Sequence, residues 1–487
     1  MKLQTPASAI PWPDALDVRA RNALAVLCLF TLAAITGIAW IAVQSSMLLL
    51  VAPLTLVSMG VAGIALLSYL KDSRATTGAL LLGMTYFLVD FTLKKAGNAA
   101  ASAFDPQTLL KMVVYLVLLA YAAMHGLRSA FRHSSTALFL VYAVFALMSS
   151  SYSTTRLLAV GGGLALVGTA LTAATVSTWT RCELQRAWTL IFVLASAIVV
   201  GSLALYIVAP SFAVATHVAG EGRVRGLTGA PNSLGQIAAM ACIGAVYVAT
   251  TSQRRALRAL AAIGLLFSAG MLLLTGSRTA LFGLGVSLLL PSLMRGAVGL
   301  TVLASVIAGS LVAVAYPDLV HAVVVAVAAG FSRTGHAAEI TTFTGRIEIW
   351  RACVAIWWLA PWLGYGLGSP RTVIPDAWSF RWGGSTGSAH NFLLESLLSF
   401  GVVGTALLLA FVAALAWTTL HNWTQADGKE RWLPWVALSA LLFALTNGLM
   451  EKSFAGMLGP NTVLLALVCG TGAALQRRAD ASDVRSV

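Results

Sequence analysis

Carboxylates are scarce in this chain: 17 aspartates and glutamates stand against 31 lysines and arginines among 487 residues, a formal net charge of +14. Charged residues of both signs make up only 10% of the sequence and apolar residues 59%. A soluble globular protein carries about 25% charged residues, so a single soluble core is excluded. The basic residues are scattered singly or in pairs between apolar runs, without the continuous stripe that would suggest a nucleic acid. Asp-x-Asp does not occur, and the five cysteines, Cys28, Cys182, Cys242, Cys353 and Cys469, include no CxxC pair. Neither a carboxylate-held cation nor a zinc or disulfide framework is expected from them, and no cofactor is implied. The N-terminus also lacks the compact charged region, short apolar core and cleavage site of a signal peptide.

Long apolar runs are what the chain has instead. Stretches able to cross about 30 Å of hydrocarbon lie near 22–43, 47–70, 76–94, 107–126, 135–153, 157–177, 187–209, 232–250, 256–275, 278–293, 297–316, 391–418, 432–449 and 456–475. They predict an all-α polytopic membrane protein of about 12–14 transmembrane helices. With an even count and the N-terminus in the cytoplasm, 18 of the 31 Lys and Arg fall in short loops on that side. Both termini are then cytoplasmic. The expected organisation is a cytoplasmic segment 1–21, a bundle 22–316, an external loop 317–390, further spans 391–475 and a cytoplasmic tail 476–487.

The loop 317–390 departs from this pattern. It holds Arg333, Arg346, Arg351, Arg371 and Arg381 against only Asp318, Glu339, Glu348 and Asp376, with His390 at its end. A long polar insert among spans constrained only to be greasy and helical calls for a functional reason, and the handling of an anionic, lipid-linked sugar supplies one. Residues 344–361 have the alternating faces of a short amphipathic helix capped by Thr344 and ended near Pro361, with Trp350, Trp357 and Trp358 suited to a membrane interface. Glu348 is a candidate partner for Arg346 or Arg351. An arginine in a first helical turn sits unfavourably against the dipole, which favours a functional reason for Arg346. The run Gly364-Tyr365-Gly366-Leu367-Gly368 neither follows a strand nor ends in Lys-Ser/Thr. It is a weak nucleotide motif and a better tight turn.

Other basic residues reach the same face. Arg223 and Arg225 lie in the 210–231 loop, and Arg278 stands between Ser277 and Thr279 where a span begins. Arginines at span ends also snorkel to lipid phosphates. At Arg278 the positive end of a helix and its unpaired N–H groups would reinforce an anion site.

The segment Ser388-Ala389-His390-Asn391-Phe392-Leu393-Leu394-Glu395 opens a span after the long loop. Together with Gly345-Arg346 and a tryptophan four residues on, the Pro-x-x-Gly-x-Gly turn and the upstream Ser277-Arg278-Thr279, it resembles the O-antigen ligase and polymerase superfamily. The resemblance covers roughly 230–400 by motif and the remainder by hydropathy. It implies a glycosyltransferase of the GT-C kind, in a bacterial inner membrane with its site facing the periplasm. The implied donor is an undecaprenyl-pyrophosphate-linked glycan and the implied acceptor, as in the superfamily's ligases, is lipid A-core, with no nucleotide. Arg278 and Arg346 match the family's essential arginines and His390 its essential histidine. Asn232 matches a recurring element, whereas Arg223 and Arg225 have no firm match and are ranked as substrate contacts, with Ser277, Trp350, Arg351, Asn391 and Glu395.

These residue types suit that chemistry on their own terms. Loss of a pyrophosphate leaving group puts charge on a phosphate oxygen, which guanidinium forks bind bidentately without a metal. A histidine can take the proton of an attacking sugar hydroxyl, and direct attack predicts inversion. A polymerase or a protein O-oligosaccharyltransferase of the same superfamily remains an alternative, as does a transporter of anionic or lipid-linked substrates. A transporter would place its polar residues inside the spans.

Overall fold

A computed structural model describes residues 74–92, 106–215, 222–293, 346–377 and 387–486. In chain order the helices are α1 (Arg74–Val89), α2 (Pro106–Gly126), α3 (Ser134–Met148), α4 (Arg156–Val176), α5 (Arg181–Val208), α6 (Pro210–Ala213), α7 (Pro231–Thr251), α8 (Arg255–Leu274), α9 (Arg278–Leu293), α10 (Arg346–Trp357), α11 (Pro370–Ala377), α12 (Phe392–Gln425), α13 (Trp432–Gly448) and α14 (Pro460–Ser486). Among the described residues there is no strand, only the isolated bridges Phe91 to Thr228 and Val214 to Val224. Among the described residues six helices are long and apolar enough to cross a membrane, spanning Ser134–Ser151, Arg156–Val176, Arg181–Val208, Pro231–Thr251, Arg255–Leu274 and Phe392–Gln425. The chain is an all-α polytopic membrane protein. Each expected span from 76–94 onward falls on a helix except 297–316, which lies outside the described residues with 22–43 and 47–70.

The chain divides into two units that interleave along the sequence: Met1–Val114 with Arg181–Ser277, and Tyr115–Thr180 with Arg278–Val487. In the first, α5 packs against α1 and α7, and α7 against α8. Close approach is set by small residues. A Cβ at Gly244 of α7 would lie 2.2 Å from Cγ of Phe192 on α5, so the two backbones are as near as that ring allows. Trp188, Phe192 and Tyr247 continue the contact with ring centroids 5.7 and 5.8 Å apart.

In the second unit α14 is the central element, packed on α3, α4, α12 and α13, with Val463 through Cys469 all buried. Phe139 of α3 stacks on Phe411 of α12 at 4.5 Å, and Tyr142 meets Phe400 edge-on at 5.6 Å. The amphipathic segment expected in the long loop is α10. Its apolar face, Ile349, Cys353 and Ile356, is buried with Ile374 of α11, Ala389 and Leu398 of α12. Thr344, its expected cap, lies outside the described residues. The glycine-rich run turns as expected, with φ of 65° at Gly364, 91° at Gly366 and 78° at Gly368, values that glycine adopts without strain. It leads into α11, which begins on Pro370, a residue suited to a first helical position because its missing N–H would have had no helical partner.

Candidate functional site

The turn before α12 is built to hold one side chain. His390 has φ of 49°, a left-handed backbone that costs a β-substituted residue on the order of 1–3 kcal/mol. Its surroundings fix it there. Glu395 Oε2 accepts from the Ala389 N–H at 2.9 Å and from Ser388 Oγ at 3.2 Å, and the His390 N–H donates to Ser388 Oγ at 3.3 Å. Trp350 Nε1 of α10 donates to the Ala389 carbonyl at 3.1 Å. Asn391 is the N-cap of α12, its Oδ1 accepting from the Leu393 and Leu394 N–H groups at 2.9 and 3.1 Å, while its Nδ2 donates to the Leu449 carbonyl at 3.0 Å.

That last bond ties the turn to the connection between α13 and α14, which carries Glu451. The Glu451 carboxylate bridges two side chains: Oε2 lies 3.0 Å from His390 Nδ1 and Oε1 2.7 Å from Arg346 Nη2. Arg346 Nη1 also donates to the Met450 carbonyl. Burial alone would raise the Glu451 carboxyl pKa, but His390 first and Arg346 second outweigh it and hold the group at about 2. The Glu451 side chain is 9% exposed, that of Arg346 15% and that of His390 29%, so exposure rises from the carboxylate to the imidazole. With Nδ1–H donating to the carboxylate, the imidazole lone pair falls on Nε2, the arrangement a general base requires. Arg346 opens α10, and Glu451 offsets the unfavourable position of a cation in the first turn.

The residues singled out in the sequence fall into separate groups in the structure. Arg346, His390, Trp350, Asn391 and Glu395 come together around one turn. Arg346 pairs with Glu451 rather than with Glu348, which is exposed on α10, as is Arg351. Arg278 stands at the first position of α9, which packs on α13. In the other unit Arg223 donates from Nε to the Thr275 carbonyl at 2.7 Å and from Nη2 to Asn232 Oδ1 at 2.5 Å. Ser277 is buried, its N–H donating to Thr275 Oγ1 at 3.3 Å. Arg225 is buried with its guanidinium 4.9 Å above the Phe212 ring, donating to the carbonyls of Phe212 and Thr228 at 3.0–3.3 Å. That geometry locks a loop. Glu451 is not among the site residues expected from the sequence, although an acid between two spans in a chain so poor in acids is a usable signal.

Residues 263–409 match the family model described as O-antigen ligase. Over that stretch the chain is similar to the O-antigen ligase family. The match contains Arg278, Arg346 and His390, and it ends before Glu451. No curated protein matches the chain.

Proposed function

We propose that this protein is a member of the O-antigen ligase family and transfers a glycan from undecaprenyl pyrophosphate to a sugar hydroxyl of lipid A-core at the periplasmic face of a bacterial inner membrane. The observation that carries the reading is the Glu451 bridge between His390 Nδ1 and Arg346. A histidine and an arginine held on one fixed carboxylate support this reading, because glycosyl transfer from a pyrophosphate needs a base and a phosphate-binding cation. The acceptor oxygen attacks the anomeric carbon, the bond from that carbon to the pyrophosphate oxygen breaks, and its electron pair leaves on phosphate. The hydroxyl proton passes to His390 Nε2. Glu451 stabilises the imidazolium that forms, as a buried carboxylate does for a catalytic histidine.

Arg346 and Arg278 take the charge on the leaving group. Both oxygens of Glu451 are engaged, one by the Arg346 guanidinium and one by the His390 imidazole, which supports guanidinium groups rather than a carboxylate-held metal in that work. A single displacement inverts the anomeric centre. Asn391 and Glu395 act on the turn that carries His390, and Trp350 braces it from α10.

Deleting the gene in a smooth Gram-negative strain tests the reading. Unsubstituted lipid A-core with polymerised glycan accumulating on undecaprenyl pyrophosphate is the expected outcome. If long glycan chains fail to form, the family member is a polymerase and the ligase assignment falls.

A further inference from the structure

The turn between α10 and α11 is joined to α12 within that helix, well away from its ends. α12 breaks at Gly401, where φ is 62° and ψ −161°. A break strands carbonyls on one side and N–H groups on the other, and the turn supplies partners to both. The Tyr365 and Gly366 N–H groups donate to the Leu398 and Ser399 carbonyls at 2.8 Å each. The Val402 and Val403 N–H groups donate to the Pro361 and Trp362 carbonyls at 2.8 and 3.2 Å. Glycine is required on both sides of the crossing. A Cβ at Gly401 would lie 2.3 Å from the Trp362 carbonyl oxygen, and one at Gly364 2.6 Å from that of Leu398.

The rest of the turn is satisfied by protein groups as well. The Leu363 carbonyl accepts from the Tyr152 hydroxyl at 3.0 Å, and the Pro361 carbonyl also accepts from Trp357 Nε1 at 3.1 Å. The Leu367 N–H donates to Ser149 Oγ at 3.0 Å and its carbonyl accepts from Ser153 Oγ at 2.8 Å. A loop in water needs no such closure, because solvent satisfies its backbone. Hydrocarbon tolerates irregular backbone only when protein satisfies it. The side chains show the complementary pattern: Trp358, Leu359, Trp362 and Leu363 are 65%, 82%, 70% and 49% exposed, continuous with exposed Val402 and Val403 on the span itself. Exposed Trp417 lies farther along α12, about 24 Å from Gly401 at 1.5 Å per residue. With Trp417 in an aromatic belt at one interface, that separation keeps the crossing at Gly401 inside a hydrocarbon layer of about 30 Å.

We infer that residues 357–366 form a re-entrant wedge whose Trp358, Leu359, Trp362 and Leu363 side chains sit among the lipid acyl chains of the leaflet on the His390 side. The inference rests on α12 being a membrane span and is independent of the reaction proposed above. The wedge clamps the first half of α12, and so fixes the height of the His390 turn above the bilayer.

Nitroxide labels on Leu359→Cys and Leu363→Cys test this in the full-length protein, with native cysteines replaced and the protein held in phosphatidylethanolamine–phosphatidylglycerol nanodiscs. Leu409→Cys on the exposed face of α12 is the lipid reference and Asp376→Cys on α11 the water reference. Collision with oxygen should exceed collision with a nickel chelate at 359 and 363, as at 409, and the order should reverse at 376. Nickel accessibility at 359 and 363 equal to that at 376 would overturn the wedge. Shielding from both reagents would mean that protein covers the surface, and would overturn the lipid assignment. Adding Gly401→Ala should shift 359 and 363 toward nickel access, and no shift would refute the backbone join as the anchor.

Discussion

His390 combines a left-handed backbone, a buried carboxylate on Nδ1 and a capping asparagine next in sequence, so its cost in strain is held by several independent bonds. His390→Ala should lower transfer by about 10²–10⁴-fold, the range for loss of a general base. In steady-state kinetics the loss should appear in kcat, and unchanged kcat would remove His390 from catalysis. Glu451→Gln keeps the shape and removes the charge; a positioning loss of about 10²-fold in kcat with little change in KM is expected. The same substitution changes acid stability. The folded Glu451 pKa, about 2, lies below its ordinary 4.5. Its ionised form therefore stabilises the fold fully above that ordinary value, and the contribution disappears as pH falls through about 2. The difference in melting temperature between wild type and Glu451→Gln should narrow over that window; a constant difference would contradict the ion-pair assignment. Arg225→Met should lower thermal stability by leaving the Phe212 and Thr228 carbonyls without their donor, on the order of 1–3 kcal/mol, and a variant as stable as wild type would show that the loop does not need it. Arg346 and His390 were legible in the sequence because each sits in a short run of telling neighbours. Glu451 was not, because its pairing with residues far away in sequence exists only in the fold.

Among the elements, α12 connects site and scaffold. Its first half begins on the Asn391 cap and its second half begins after Gly401, with the 361–366 backbone closing the gap. Gly401→Ala should reduce both melting temperature and transfer, since a Cβ cannot occupy the space taken by the Trp362 carbonyl and a positive φ is costly for alanine. Full activity in that variant would mean that the helix break is not needed to set the His390 turn. The spans were readable because apolar length alone defines them, and α10 because its two faces differ. The break was hidden, since a glycine inside an apolar run leaves hydropathy unchanged. So was α11, a helix of 8 residues whose two prolines give no periodic signal.

At the scale of the molecule, apolar helices make up the bulk and polar residues gather at turns between them. The O-antigen ligase match covers 263–409, the stretch with the long loop, while the earlier spans were read from hydropathy alone. Purified protein with an undecaprenyl-pyrophosphate-linked glycan and lipid A-core should retain activity in excess chelator, because arginines carry the leaving-group charge; loss restored by magnesium would contradict that. The most direct measurement is product formation in this defined reaction by wild type, Arg346→Ala and His390→Ala. The account predicts glycan joined to lipid A-core with inverted anomeric configuration in the wild type, and near-complete loss in both variants with the folded protein intact. Retained configuration, or transfer by His390→Ala at the wild-type rate, would contradict it.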